Sequence, residues 1–527
     1  MLSKPILKLI RLTTLVLALS FIVLGLCDYI NLSTADLGRH IMNGQYIVDA
    51  FVNTKDFVTE TPLYTNFYSF TSTNFPVHNH HWLTGVFHSL VHDNFGFLGL
   101  SILNISVITI AVAASFYAAY LLAGFEFAAI ALAVALPLLV WRDEVRPESF
   151  SYLLMALEFV VLTLFKFNRL SFRATAILLA QFQLLWINLH VFFCVGLLVI
   201  GMFYAEEVLK TKSLVKWKSK DYLFLLLIVL LASLVNPFGL SGLLEPLNIF
   251  KNYAYELAEN QSVFFMHHRF PGQVIYYYFD AFFALNLLAW ILVYCKLKLK
   301  PFEFIKNNFA NLAITFVFAV LAFKTNRAIP VFVFYGVPIL AGNLSRLFTL
   351  RHKAPLFTQI LALSLVLGVF AMVGLTPKRI SMIGLEPGIN RSAEFFRALD
   401  IKGPIFNNYD IGGYLIYNLF PRRRVFVDNR PEAYANEFFD DVYEKVQEDE
   451  DKWQKLDSKI NFNVIYFMRH DMTEHAQPFL IRRITDPQWV PVFVDKWIIL
   501  LVKNNEINKA IIDKYRLPDS MFKSVKN

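Results

Sequence analysis

The sequence predicts a polytopic α-helical membrane protein of about eleven transmembrane helices, with a C-terminal extracytoplasmic α/β domain. Three observations carry this. Hydrophobic residues make up 56% and charged residues 17% of 527 positions, with a mean hydropathy of +0.47, a composition found in polytopic membrane proteins and not in soluble ones of this size. Apolar stretches long enough to cross about 30 Å of hydrocarbon recur along the chain. From residue 376 onward that pattern gives way to short β-rich runs and Gly-containing turns.

The first apolar run, 6–27, follows Lys4, Lys8 and Arg11 and resembles a signal peptide. It has no small-residue cleavage site, so it is expected to remain as the first span. Further spans are expected at 95–122, 126–141, 149–166, 173–190, 191–208, 221–240, 273–295, 307–324, 328–346 and 355–375. Residues 82–93, short and bearing His88 and His92, are placed as an interfacial helix. Basic loops at the N-terminus, 166–173, 210–220, 296–300 and 346–353 assign one side to the cytoplasm by the positive-inside rule. The net charge of +8 is accounted for by those loops and implies no nucleic-acid partner. The other side receives 28–82, 141–148, 188–190, 236–272, 324–327 and the C-terminus. The expected domains are therefore 1–375, with a large first external loop over 28–82, and 376–527. Within the second, 463–468, 491–495 and 497–503 read as strands, and GPIFNNYDIGGYLIYNLFPRRRVFVDNRPEAY reads as strand, turn, helix, strand. Cys27, Cys194 and Cys295 form no motif.

Candidate chemistry lies on the external side. Asp36, one helical turn from Arg39 and His40, is a carboxylate placed to act as a general base, or else an N-cap or a partner of Arg39. His78, His80 and His81 do not share a helical face and lack the companion ligands of a zinc site; they suit hydrogen bonding to a phosphate or glycan, or packing against Trp82. Arg142 and Arg146 in WRDEVRPE suit a phosphate headgroup, which guanidinium binds bidentately, or mark the helix ends. His190 and Arg327 are single polar residues at helix ends, costly in hydrocarbon and so functional candidates. Gly412-Gly413 reads as a tight turn, NPFG at 236–239 as a helix stop, and Asp428, Asn429 and Arg430 as a surface contact for substrate.

A first span, a long external loop with an Asp near its start (ADLGRHIMNGQYI), and HNHHWL leading into the next span are together similar to the GT-C class of integral membrane glycosyltransferases. Protein mannosyltransferases, the oligosaccharyltransferase catalytic subunit and the lipid A aminoarabinose transferase share that plan. RPESFSY, WINLH, LVNPFG, NRAIP and FNNYDIGGYLI with RRVFVDNRPEAY resemble landmarks of a bacterial branch of the class. The resemblance implies a multi-pass protein of the bacterial plasma membrane. It also implies a polyprenyl-linked sugar donor and a glycan, lipid or protein acceptor approached from outside, with Asp36 as catalytic base. Arg142, Arg146 and Arg327 are then candidates for the donor phosphate, and Asp28, Arg39, His40, His78, His80, His81 and His190 for supporting roles. Family members that carry paired acids have them adjacent; here Asp28 and Asp36 are eight apart, which counts against a metal-dependent version, so no cofactor is expected, with a divalent metal as the unsupported alternative. Two other readings compete: a non-catalytic envelope scaffold, and a transporter or flippase of lipid-linked sugars. Ionisable residues gathered at one face and the lack of repeated halves count against the transporter.

Overall fold

The computed structural model describes residues 4–34, 36–216, 218–249, 258–348 and 354–522. Ala35 of the first external loop, Trp217 of the basic loop 210–220, and 250–257 and 349–353 of the loops 236–272 and 346–353 lie outside the described residues, as do both chain ends.

The segments expected to span are helical over most of their length, except that the helix in 221–240 ends at residue 232 and 233–239 is not helical. The helices are α1 (Lys4–Leu26), α2 (Leu37–Val52), α3 (Trp82–Leu139), α4 (Glu148–Lys166), α5 (Phe172–Leu189), α6 (Phe193–Thr211), α7 (Lys218–Ala232), α8 (Leu240–Ile249), α9 (Val263–Arg269), α10 (Val274–Leu297), α11 (Pro301–Lys324), α12 (Ile329–Leu347) and α13 (Ala354–Val373). Eight helices are long and apolar enough to cross a membrane among the described residues. Of the other expected spans, α6 carries Glu206, Glu207 and Lys210 near its end, and α7 has 15 residues. The protein is thus a membrane protein of mainly helical architecture.

The 58 residues of α3 cover the expected interfacial helix and two expected spans in one helical run. A straight helix of that length would measure about 87 Å, far beyond one hydrocarbon thickness of about 30 Å. The run is not straight. Gly124 lies at φ +76°, where only glycine is unstrained, and the chain folds back there. Asn104 Nδ2, well before the glycine, donates to the carbonyls of Asp143 at 2.9 Å and Glu144 at 3.3 Å, well after it. Phe116 and Phe125 meet at 5.9 Å between ring centroids, which nine residues of straight helix would forbid. Gly96, at φ +63°, interrupts the run at the end of the expected interfacial segment. The seams between the expected segments are therefore two left-handed glycines, without a loop.

By internal contacts the chain forms two compact units. One comprises 1–28, 101–246 and 256–383; the other 29–100, 247–255 and 384–527. The first is a bundle of apolar helices whose buried polar residues are mostly paired. Glu206, fully buried, accepts from Lys166 at 2.7 Å, Lys210 at 2.6 Å and the Ala310 backbone N–H at 2.9 Å. Glu126 accepts from Gln359 at 2.9 Å and pairs with Arg11. Glu158 differs. It is buried in α4, and neither carboxylate oxygen has a hydrogen-bond partner among the described residues. Its Oε2 fills the space that a side chain at Gly196 would need, 2.7 Å from where the Cβ would stand.

The second unit contains a four-stranded sheet, β1 (Ile405–Asn407), β2 (Val464–Met468), β3 (Trp489–Val494) and β4 (Ile498–Lys503), in the order β1-β2-β4-β3. β1 and β2 are parallel; β4 runs antiparallel to both β2 and β3. The strand expected near RRRVFVD does not form. Its backbone is hydrogen-bonded instead to the first loop and to a side chain. Val425 N–H donates to Tyr68 O, Phe70 N–H donates to Val425 O, Phe426 N–H donates to Asn407 Oδ1, and Phe426 O accepts Ser69 and Thr71 hydroxyls. A parallel bridge between Ile30 and Leu385 ties the start of the loop to the same unit.

An unpaired carboxyl buried in a helix bundle is destabilising by about 1–3 kcal/mol. Replacing Glu158 with Met is therefore expected to raise the thermal unfolding temperature in detergent. A lower temperature would mean that the carboxyl has a stabilising role.

Candidate functional site

The candidate residues fall into two groups, one in each unit. The first is built where α2 meets α14 (Gly412–Leu419). Glycines permit the contact. A Cβ on Gly38 would stand 2.7 Å from Gly413 O and 2.9 Å from Tyr417 Cβ, and one on Gly412 would stand 2.3 Å from Asp428 Cα. Gly412-Gly413, read as a tight turn, instead opens a helix, and Gly412, like Gly38, is needed for close packing. This brings Asn429 onto Asp36.

Asp36 occupies the N-cap position of α2, and its carbonyl accepts His40 N–H at 3.1 Å. Its side chain makes no capping bond. The carboxylate accepts from Asn429 Nδ2 and lies 3.9 Å from Arg39 Nη2, while Arg39 Nε donates to Asn429 Oδ1 at 3.2 Å. Arg39 is buried, and the Asp36 side chain keeps 30% of its surface exposed. Amide and guanidinium thus both engage the carboxylate while the side chain stays partly exposed.

Asn429 is the half-exposed member of the trio expected to contact substrate. Asp428 and Arg430 are buried as a bidentate ion pair at 2.7 Å for both bonds. Tyr434 and Asn66 complete it, at 3.1 Å and 3.0 Å. Sequence position suggested a surface role for these two because the pairing partners are remote in the chain.

Asp410 was not singled out from the sequence. Burial, then the carboxylates of Asp471 and Asp36, push its carboxyl up to about 7. Asp471 accepts from Asn408 Nδ2 at 3.0 Å and from Thr473.

The histidines gather partly. His40 is buried, with the His81 ring 5.4 Å away and the His88 ring 6.3 Å away, both edge-on. The His80 ring lies 4.0 Å from the His81 ring and is tilted by 53° to it. His78 contributes its carbonyl, which accepts from the His80 backbone and from Nδ1. No group of three or more His, Cys, Asp or Glu side chains disposed to hold a metal ion is present among the described residues.

The second group lies at the start of α4 and the start of α12. Arg142, Arg146 and Arg327 converge on one residue that the sequence did not flag, Glu259 of the short 3-10 turn Ala258–Asn260. Glu259 Oε2 accepts from Arg146 Nη1 at 2.6 Å and Arg142 Nη2 at 3.3 Å, and Arg327 Nη1 lies 3.2 Å from Oε1. Arg327 also donates to Glu148 Oε1 through Nε at 3.0 Å and Nη2 at 2.7 Å. Burial opposes ionisation of Glu259, but the guanidiniums, Arg327 foremost, hold its carboxyl down to about 2. His190 is buried nearby in the same unit. Ser151 Oγ, which accepts from Trp186 Nε1 at 2.8 Å, lies 2.8 Å from His190 Nδ1. The Phe192 N–H also donates to Nδ1 at 3.4 Å, so Nδ1 is the acceptor and Nε2 carries the hydrogen.

Asp28 belongs to the helical unit. It lies 3.7 Å from Arg379, which also lies 3.8 Å from Asp143. Burial, then Asp28 and Glu144, push the Asp143 carboxyl up to about 7.

An acid whose folded pKa is raised to about 7 from an unfolded value near 3.9 binds its proton more tightly in the folded state. Its contribution to stability is therefore present below about pH 4 and is lost as pH rises toward 7. For Asp410→Asn the unfolding temperature is expected to match wild type near pH 4 and to exceed it at pH 8. Parallel profiles would contradict the assignment.

No protein-family model matches the chain, and no curated protein matches it. Solved structures do. The archaeal oligosaccharyltransferase AglB from Archaeoglobus fulgidus, in complex with an inhibitory peptide and a dolichol-phosphate, aligns with a TM-score of 0.60 at 11% identity, over 91% of this chain and 72% of that one. The Archaeoglobus fulgidus oligosaccharyltransferase tethered to an acceptor peptide gives 0.58 at 12%, over 94% and 74%. ArnT from Cupriavidus metallidurans in the apo state gives 0.53 at 16%, over 96% and 98%. The chain has the fold of these GT-C-class membrane glycosyltransferases.

Proposed function

We propose that this chain is a membrane glycosyltransferase that moves a sugar from a polyprenyl-phosphate-linked donor to an extracytoplasmic acceptor, with Asp36 as general base. The observation that carries the reading is the setting of Asp36. Its carboxylate is engaged by Asn429 and Arg39 while its side chain keeps 30% of its surface exposed, in a chain with the fold of glycosyltransferases that use lipid-linked donors. The dolichol-phosphate in the AglB complex supports a polyprenyl donor here.

The reaction is a displacement at the anomeric carbon. The acceptor oxygen or nitrogen forms the new bond to that carbon as the carbon–oxygen bond to phosphate breaks. The acceptor proton passes to Asp36, and the bonding pair leaves with the phosphate. Arg142, Arg146 and Arg327 bind and stabilise that phosphate. Arg39 positions Asp36. His40, His78, His80, His81 and His190, together with Asp28, line or support the substrate path. No cofactor is invoked. The basic loops support a multi-pass protein of the bacterial plasma membrane, with a cytoplasmic N-terminus and an extracytoplasmic C-terminal domain. The acceptor is a glycan, a lipid or a protein.

The test is mass-spectrometric profiling of glycolipids and glycoproteins in a deletion strain complemented at equal membrane level with wild type or Asp36→Asn. A glycan mass that is lost on deletion and restored by wild type is expected to stay lost with Asp36→Asn, as removal of a general base lowers rates about 100- to 10,000-fold. Full restoration by Asp36→Asn would favour a non-catalytic scaffold.

A further inference from the structure

The three arginines assigned to the donor phosphate are already engaged by a carboxylate. Glu259 takes one guanidinium on Oε1 and two on Oε2, at 3.2, 2.6 and 3.3 Å. Its oxygens therefore stand where phosphate oxygens bound by the same arginines would stand. The backbone around it is fixed. Thr325 Oγ1 donates to Glu259 O at 3.1 Å, and Asn326 N–H donates to Gln261 O at 3.0 Å. Arg327 follows directly on these residues, so acid and base are anchored to one stretch of backbone. Removing the carboxylate from the arginines requires a turn of the side chain and no movement of the turn that carries it.

We propose that Glu259 is a built-in occupant of a three-guanidinium phosphate site, giving up Arg142, Arg146 and Arg327 to the phosphate of a bound ligand and taking them back when it leaves. The proposal rests on the donor-phosphate reading above and deepens it. Electrostatics favour the exchange. With Glu259 withdrawn, three guanidiniums face the carboxylates of Glu148, which stays on Arg327, and Glu144, which stays on Arg146. The net positive charge that remains matches a phosphodiester. With Glu259 in place the cluster is neutral, which spares a half-buried site the cost of an uncompensated positive charge. Glu259 is then an internal competitor that lowers phosphate affinity and keeps the empty site intact.

The experiment is titration of the purified full chain in detergent with farnesyl phosphate and, separately, with inorganic phosphate. It compares wild type, E259Q, E259D, R146Q and the double variant E259Q/R146Q, after each has been shown to unfold cooperatively. E259Q is expected to bind farnesyl phosphate at least tenfold more tightly than wild type, and R146Q to remove that gain. E259D, its charge drawn back by one methylene, is expected to show a smaller gain, and it decides the matter if E259Q does not fold. An equal gain for inorganic phosphate supports the proposal and assigns the site to phosphate alone; a gain confined to farnesyl phosphate supports it and assigns the site to a lipid headgroup. If R146Q weakens binding but neither Glu259 variant strengthens it, the proposal is overturned and the donor site stands. If R146Q changes nothing, the donor-phosphate reading fails, and the proposal with it.

Discussion

The structure of the second unit depends on a buried polar seam between residues 66–71 and 407–434. The first loop is too polar to be self-sufficient, and its backbone groups must find partners when buried. It finds them in a segment more than three hundred residues away. Asn66 donates to Ala433 O and accepts from Arg430, and Ser69 and Thr71 donate to Phe426 O. Beneath them the Asp428–Arg430 pair is fully enclosed. Removing one member of such a pair leaves an uncompensated charge and costs about 3–5 kcal/mol. Asn429 sits between the two, so its amide is presented to Asp36 from a rigid base. The position of the candidate catalytic carboxylate is inherited from this seam.

The helical unit handles charge differently. An ion in an apolar bundle is tolerated when it is paired. Glu206 has two lysines and a backbone N–H, and Glu126 has Arg11 and Gln359. The Arg142–Arg146–Arg327 cluster with Glu148 and Glu259 follows the same rule at the ends of helices. Glu158 is the buried acid of α4 that breaks it. A paired cluster can be structural, yet three guanidiniums on one carboxylate are also the chemistry that recognises phosphate, and the two roles are compatible when the carboxylate is the exchangeable part.

Much of this was legible from residue order. Length and apolar content located the helices long and apolar enough to cross a membrane among the described residues, and β1 to β4 followed from short β-rich runs. Both are local signals. Pairing across long separations was not legible. The run at 424–428 has strand composition, but its hydrogen bonds go to residues 68–71 and to Asn407, so it forms no ladder. Asp428 and Arg430 read as surface residues because nothing nearby in sequence announces Tyr434 and Asn66 as a closed shell around them. Asp36 was legible from its place after the first span, whereas Asn429 as its direct partner, Asp410 and Glu259 were not. Gly96 and Gly124 were visible as residues but not as turns, since helical composition continues through both.

The proposed transfer breaks a bond to a lipid phosphate, whereas a flippase moves a lipid-linked sugar intact. The direct measurement is reconstitution of the purified chain in liposomes loaded with a polyprenyl-phosphate-linked sugar, with acceptor outside. For the transferase, free polyprenyl phosphate is expected to be released in step with glycosylated acceptor. Passage of intact lipid-linked sugar between leaflets, with no free polyprenyl phosphate formed, would contradict the proposed transfer.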